Sequence, residues 1–101
     1  MIVIAGHVAL DPGKREPAIA AAREMMAETR KEPGCKAYVF SAEFDDPGAF
    51  RIFEEWESED ALKLHFQAPH MAKFRAAIGG FGIKGMKVLR YEVSRVGPVN
   101  P

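Results

Sequence analysis

A segment near the middle of the chain combines the residue types that a small-molecule site uses. Glu54 and Trp56, the only tryptophan, are two positions apart in a stretch typical of a β-strand, so they share one strand face. His65 follows nine residues after Trp56, in a stretch typical of a helix. If this strand face is turned toward the helices, we expect His65 to point back at both side chains. Apolar walls with a few converging polar groups are the usual composition of a ligand pocket.

The chemistry available to these three residues is proton transfer. An imidazole has a pKa near neutral and could move a proton to or from a bound phenol or quinol. Glu54 could orient the His65 ring or balance its charge, and Trp56 could form a wall against which the substrate stacks. The alternative is structural, with His65 a packed, hydrogen-bonded helix residue and Trp56 a part of the core.

Further residues are candidates for contact with the substrate. Two of them share the strand face of Glu54 by the same period of two, and the others lie on the preceding strand and on the helix that begins at Pro69. The predicted substrate-binding residues are Tyr38, Phe50, Ile52, His70 and Phe74. Tyr38 could equally be an ordinary strand aromatic, and His70 an exposed residue at a helix start.

No residue pattern predicts a metal or cofactor site. The three histidines do not have the spacing of a structural metal motif, and the single cysteine, Cys35, has no histidine near it in sequence. The glycine-rich loop 79–82 lacks both the Lys-Ser/Thr pair of a P-loop and the preceding strand of a dinucleotide-binding fold. We therefore expect no metal and no cofactor, so that any redox chemistry proceeds without one or with one supplied from outside.

The composition restricts the class of protein. The chain has 101 residues, with 14 basic and 14 acidic side chains and 48% hydrophobic residues, which predicts a single folded domain over residues 1–95 and a tail over 96–101. No basic stripe indicates a nucleic-acid partner. Residues 1–10 are apolar but too few to span a bilayer, so we expect no membrane partner. The single cysteine allows no intrachain disulfide, and a cytoplasmic location is the expectation.

Turn signals and hydrophobic periodicity predict the elements that position these residues. The predicted strands are 2–10, 35–44, 49–56 and 85–95, and the predicted helices are 14–31, 59–67 with Ser58 as N-cap, and 69–78. The residues predicted to form the apolar side of the first helix are Ile19, Ala22, Met26 and Thr29. Those predicted to share one face of the second strand are Tyr38, Phe40, Ala42 and Phe44.

The order of these elements predicts the fold. A βαββαβ order, with an extra helical turn in the second crossover, gives an α+β ferredoxin-like sandwich, in which an antiparallel sheet carries its helices on one face. Apolar residues occur on both strand faces, since Val3 and Ala5 alternate with Ile2 and Ile4. We therefore expect the open face to pack against the sheet of a second copy in a homodimer.

Several short motifs, in the same order as the predicted elements, resemble the antibiotic biosynthesis monooxygenase family. The resemblance extends from residue 1 to about residue 92. The matching motifs are Glu32-Pro33-Gly34-Cys35 leading to Tyr38, Phe53-Glu54-Glu55-Trp56-Glu57-Ser58 followed by Ala61, Leu62 and His65, and Pro69-His70-Met71 followed by Phe74.

The resemblance implies a dimeric α/β barrel made from two ferredoxin-like subunits. It also implies a cofactor-free oxygenase that oxidises a quinol or polycyclic phenol, in which the deprotonated substrate itself reacts with O₂ in a dry pocket. Glu54, Trp56 and His65 match the polar and aromatic pocket residues of the family, and Tyr38 and His70 match less closely. We therefore predict a homodimeric monooxygenase for a small aromatic quinol, with His65 as proton-transfer residue, Glu54 as its partner and Trp56 as the stacking wall.

Departures from the family pattern define the alternatives. Haem-degrading relatives use an Asn on the first strand together with Trp and His, whereas the matching position here is Gly6, with His7 beside it. The spacing from Trp56 to His65 is also about one residue shorter than the corresponding spacing in the family pattern. Both differences disfavour haem. The remaining alternatives are a haem-binding or haem-degrading protein, an isomerase of phosphorylated signalling sugars, and a non-catalytic member that binds a small ligand.

Overall fold

A four-stranded antiparallel sheet with its helices on one face forms the protein, as described by a computed structural model for residues 1–100. The elements are β1 (Ile2–Ala9), a 3-10 turn (Pro12–Lys14), α1 (Arg15–Thr29), β2 (Cys35–Ala42), β3 (Ala49–Trp56), α2 (Glu59–Phe66), α3 (Pro69–Ile78) and β4 (Gly85–Glu92). The strands are arranged in the order β2-β3-β1-β4. This is the topology of the predicted ferredoxin-like α+β fold, which is therefore confirmed.

The hairpin between β2 and β3 ends earlier than the sequence predicts. Pairing of the two strands begins at Ala42 and Phe50, and the carboxylate of Asp46 accepts a hydrogen bond from the Gly48 amide inside the turn. Phe44 therefore lies in the connection and is fully exposed. The prediction that Phe44 continues the face of Tyr38 is wrong, because the side-chain alternation of a strand ends where the pairing ends.

The buried side of α1 is rotated from the predicted one. Ala18, Met25 and Thr29 are buried, whereas Ala22 and Met26 are only half-buried. The helix packs against both β2 and α3. Its buried stripe is therefore wider than that of a helix that contacts a single element. Of the predicted residues, Thr29 is the one that is fully buried, and its hydroxyl oxygen has no hydrogen-bond partner among the described residues.

The core lies between the helices and the even-numbered residues of β1 and β3. Ile2, Ile4, Phe50 and Trp56 are all buried there. Side chains on one strand face alternate with those on the other, so this set comes directly from the period of two in the sequence.

The opposite sheet face carries an apolar row that no helix of the described chain covers. Val39 pairs with Phe53, Phe53 with Ala5, and Ala5 with Leu89, so the four side chains cross all four strands in one line. Val39, Phe53 and Leu89 are 38%, 40% and 46% exposed. We call this set the open-face row. It agrees with the prediction that both faces of the sheet are apolar.

The helices within the described residues are too short or too polar to cross a membrane.

Candidate functional site

Strand β3 places Glu54 and Trp56 side by side on the helix-facing side of the sheet. Glu54 is paired with Ile4 of β1 and Tyr38 of β2, so it lies in the middle of the sheet and is only 7% exposed. The indole Nε1–H of Trp56 donates a hydrogen bond to Glu54 Oε1 at 2.8 Å. The buried carboxyl group thus has one partner that favours its ionised form.

Helix α2 brings His65 against Trp56, as the sequence predicts. Ser58 caps the helix by accepting a hydrogen bond from the Ala61 amide. The His65 and Trp56 ring centroids are 4.6 Å apart, and the Tyr38 ring lies edge-on to His65 at 5.3 Å. His65 is 1% exposed. Burial lowers the pKa of His65, although its hydrogen bond to Glu32 opposes this effect.

The expected pairing of His65 with Glu54 is wrong, because Glu32 takes that place. His65 Nδ1 lies 2.9 Å from Glu32 Oε2, and His70 Nε2 lies 2.6 Å from the same oxygen. Glu54 instead bonds to Trp56 on its own strand. Glu32 reaches both imidazoles from the turn after α1, where its amide and carbonyl are both hydrogen-bonded, to Thr29 and Cys35.

A cavity of about 330 Å³ lies between the sheet and the helices α2 and α3. Four of the predicted site residues line it, namely Tyr38, Ile52, Glu54 and Phe74. A fifth, Phe50, lines a neighbouring and wholly apolar cavity of about 70 Å³. The remaining lining residues of the larger cavity are Ile4, Phe40, Leu62, Phe66, Met71, Arg75, Ile78, Met86, Val88, Leu89 and Arg90.

Trp56, His65 and His70 do not line this cavity. Trp56 is completely buried, and its hydrogen bond to Glu54 connects it to the cavity indirectly. His65 packs against the Trp56 ring. His70 lies beside His65, and both imidazoles contact the same Glu32 oxygen. The predicted site is therefore divided into a cavity that contains Glu54 and a polar cluster formed by Glu32, His65 and His70.

The electrostatics of the cavity centre on Glu54. Burial raises the pKa of Glu54 to about 7, the hydrogen bond from Trp56 limits the rise, and the charge of Glu32 adds to it. Burial, together with Glu54 and Glu32, raises the pKa of Tyr38 far above its ordinary value. Glu54 can therefore exchange a proton near neutral pH, whereas Tyr38 remains a neutral phenol.

Sequence reasoning missed three charged residues of the site. Arg75 and Arg90 line the cavity, and Arg90 also bonds to Glu59 and Glu92 at its outer end. A register argument could have found Arg90, since it is paired with Ile4 of the core face. Arg75 lies four residues after Met71 and so shares its helix side. Glu32 is part of a motif that resembles the family, but nothing local to it indicates two histidine partners.

The cluster of Glu32, His65 and His70 is a feature that the sequence gave no reason to expect. One ligand-type atom from each residue lies within 4.8 Å of the other two. Glu32 is separated from His65 and His70 by 33 and 38 residues, so no local spacing motif could reveal the cluster. The third histidine, His7, is exposed on β1.

The comparisons with known proteins agree on one family. The model of the family described as antibiotic biosynthesis monooxygenase matches residues 1–77. An uncharacterised protein of Synechocystis is 37% identical over 73 residues, which are 72% of this chain and 50% of that protein. The chain thus spans about half the length of this relative.

A second relative and a solved structure extend the likeness over almost the whole chain. A Bacillus subtilis protein named "Putative monooxygenase YcnE" is 28% identical over 88% of this chain and 86% of its own length. The crystal structure titled as a putative antibiotic biosynthesis monooxygenase from Deinococcus radiodurans superposes with a TM-score of 0.89. It covers 98% of each chain at 22% identity. At this identity the superposition supports the fold alone.

Proposed function

The chain belongs to the antibiotic biosynthesis monooxygenase family, and on this premise we propose that it is a cofactor-independent monooxygenase of a small phenol or quinol. The proposed active site is the cavity of about 330 Å³. One observation carries the proposal: Glu54 is the only carboxylic acid among the residues that line this cavity, and its pKa is about 7. A general base works best when its pKa is close to the working pH.

The first step is removal of the phenolic proton by ionised Glu54. A phenol has a pKa of about 10 in water, so the transfer needs stabilisation of the phenolate that forms. Arg75 and Arg90 are the two cations that line the cavity, and their charges favour the phenolate. The apolar walls contact the ring, and a bound ring displaces water from them, which strengthens these interactions.

The oxidation needs no reductant other than the substrate. The electron-rich phenolate reacts with O₂, and a ring carbon forms a bond to one oxygen atom and loses its hydrogen. The second oxygen atom leaves as water with that hydrogen and the phenolic proton. The substrate supplies all four electrons that reduce O₂, and the phenol becomes a quinone.

The other predicted residues take supporting roles in this proposal. Tyr38, Ile52 and Phe74 line the cavity and would contact the ring. Trp56 would be a positioning residue that fixes the Glu54 carboxylate through its 2.8 Å hydrogen bond. The proton-transfer role expected for His65 passes to Glu54, because His65 does not border the cavity. His65 would act indirectly, since it packs on Trp56, which in turn bonds to Glu54.

We propose in addition that the open-face row is the contact surface of a homodimer. Its apolar side chains from all four strands remain partly exposed in the single chain. Burial of such a face against its own copy removes apolar surface from water and leaves no sheet face open.

The alternatives fit the cavity less well. The expected haem-binding histidine does not border the cavity, because none of the three histidines lines it. A phosphorylated sugar needs many polar partners, whereas most of the wall is apolar. A non-catalytic role in binding a small aromatic ligand uses the same walls, so only turnover distinguishes it from the proposed enzyme.

Oxygen uptake with a panel of phenols and hydroquinones tests the proposal. We expect wild-type protein to consume O₂ with at least one compound, and Glu54→Gln to lower the rate about 100-fold or more, the usual range for loss of a general base. The matched control is Glu16→Gln, an exposed position on α1, which should keep the wild-type rate. Equal rates in wild type and Glu54→Gln would exclude the assigned role. Tight binding without O₂ uptake would support the non-catalytic alternative.

A further inference from the structure

The cluster of Glu32, His65 and His70 has the composition of a metal site, and nothing in the proposed reaction uses it as one. Two imidazole nitrogens and one carboxylate oxygen are provided by three separate segments: the turn after α1, helix α2 and the first turn of helix α3. Two His and one Glu are the protein ligands of many zinc sites that keep a position open. They also form the facial triad that binds Fe²⁺.

The distances within the cluster are those of three ligands around one centre. Glu32 Oε2 lies 2.9 Å from His65 Nδ1 and 2.6 Å from His70 Nε2, and all three atoms lie within 4.8 Å of one another. Zinc bonds of about 2.1 Å in tetrahedral geometry place ligand atoms roughly 3.4 Å apart. The Glu32 oxygen must therefore move away from the two imidazole nitrogens by about 0.5 Å and about 0.8 Å to admit an ion. The nitrogens themselves lie within 4.8 Å of each other and must reach the same spacing of roughly 3.4 Å.

The surroundings allow this small movement. The His65 side chain is 1% exposed, whereas those of Glu32 and His70 are 14% and 20% exposed. One ligand is thus fixed in the core, and the other two lie at an edge that solvent and ions can reach. The backbone of Glu32 is held by hydrogen bonds to Thr29 and Cys35, and its carboxylate already points at both imidazoles.

From this geometry we propose that Glu32, His65 and His70 bind one divalent transition-metal ion, with Zn²⁺ as the reference ion. The ion takes the place of the protons through which both imidazoles now bond to Glu32 Oε2. It would connect the turn after α1 to α2 and α3, next to the buried Trp56 ring and outside the 330 Å³ cavity. The proposal is independent of the oxygenase function, since no step of that reaction passes through the ion.

Titration of the tag-free full chain with Zn²⁺, by calorimetry and by thermal unfolding, tests the site. We expect one Zn²⁺ per chain and a melting temperature that rises with Zn²⁺ concentration, because a ligand that binds the folded state stabilises it. His70→Ala and Glu32→Gln should each weaken binding at least tenfold. Titration with Co²⁺ should give the visible absorption of a nitrogen- and oxygen-ligated ion.

The chain contains its own matched control. It has three histidines, and His7 is exposed on β1, away from the cluster, so His7→Ala should bind Zn²⁺ like wild type. Wild-type protein without saturable binding would overturn the proposal. Unchanged binding in His70→Ala, or an equal loss in His7→Ala, would also overturn it. His70 lies in the first turn of α3 and is partly exposed, so its replacement by Ala should leave the fold intact, which circular dichroism checks.

Discussion

Glu54 is buried in the middle of the sheet although it can carry a charge, and this costs stability. A carboxyl group in low-dielectric surroundings prefers its neutral form, and here the pKa rises from 4.5 to about 7. The Trp56 indole is its hydrogen-bond donor, and Glu32 adds negative charge nearby. Tyr38, Arg75 and Arg90 are the other ionisable groups at the cavity. A residue that is costly to bury in this way is typical of a functional site.

Replacement of Glu54 by Gln should therefore change stability in a pH-dependent manner. Between pH 4.5 and about 7 the unfolded chain has lost the Glu54 proton while the folded chain retains it, so the free energy of unfolding decreases as pH rises through this window. Above this pH window, ionisation of Glu54 has lowered the free energy of unfolding by roughly 3 kcal/mol. Gln keeps an oxygen for Trp56 but does not ionise, so Glu54→Gln should be more stable than wild type by about this amount at pH 8.

Urea unfolding at pH 4 and pH 8, at one fixed protein concentration, measures this effect. The advantage of Glu54→Gln should nearly disappear at pH 4, where both proteins are neutral at this position. The control Glu16→Gln should show no such difference. The same change in free energy at both pH values would contradict the raised pKa of Glu54.

Strands β1 and β4 approach each other so closely at Gly6 that no side chain fits there. A Cβ atom at this position would lie 2.1 Å from the carbonyl oxygen of Lys87 and 2.5 Å from the Cα of Val88. Both contacts are with backbone, which cannot move aside without disturbing the pairing of the strands. This gives a packing reason for Gly6 where haem-degrading relatives are expected to carry Asn.

Gly6→Ala should accordingly destabilise the sheet. Insertion of a methyl group against backbone is overpacking, which costs typically about 1–3 kcal/mol. The matched control is Gly85→Ala in β4, where no atom lies within 4 Å of the added Cβ, and we expect a change within about 0.5 kcal/mol. Chemical denaturation of both variants decides the matter: equal stabilities would contradict the close approach of β1 and β4.

The whole molecule has one sheet face covered by helices and one that carries the open-face row. Phe53 is at the centre of that row, between Val39 and Ala5. Apolar surface that lies in line across four strands is typical of an interface rather than of scattered surface residues. The helix-covered face contains the cavity, so the proposed dimer contact and the proposed active site lie mainly on opposite sides of the sheet. They meet at the edge strand β4, where Leu89 belongs to the open-face row and also lines the cavity.

A charge in the middle of this face should separate the proposed dimer. We expect wild-type protein to have the mass of a dimer in size-exclusion chromatography with light scattering, and Phe53→Lys to shift it to a monomer at micromolar concentration, because a buried unpaired charge is costly. Phe44→Lys changes a fully exposed phenylalanine that lies away from the row and should remain dimeric. A monomeric wild type would contradict the proposal, as would a dimer that Phe53→Lys leaves intact.

The sequence was sufficient to predict the order of the secondary-structure elements and most of the side chains that share a strand face. Period-two alternation correctly placed Phe50, Ile52, Glu54 and Trp56 on one side of β3, and all four are buried or half-buried there. The capping side chain of Ser58 predicted the start of α2. These features depend on residues that are close in sequence, so local rules recover them. The same rules failed for Phe44, because the pairing of β2 and β3 ends before it. They also failed for the buried side of α1, because that helix contacts both β2 and α3.

The chain by itself thus determined the family, the βαββαβ order and the strand that presents Glu54 and Trp56. Only the tertiary structure decided which ionisable groups meet. It paired His65 with Glu32, 33 residues away, and left Glu54 as the carboxylic acid at the cavity. The physical reason is that hydrogen-bond partners and desolvation depend on distances between segments that are remote in sequence. A raised or lowered pKa, and with it the assignment of a proton-transfer residue, follows from those distances and not from residue type.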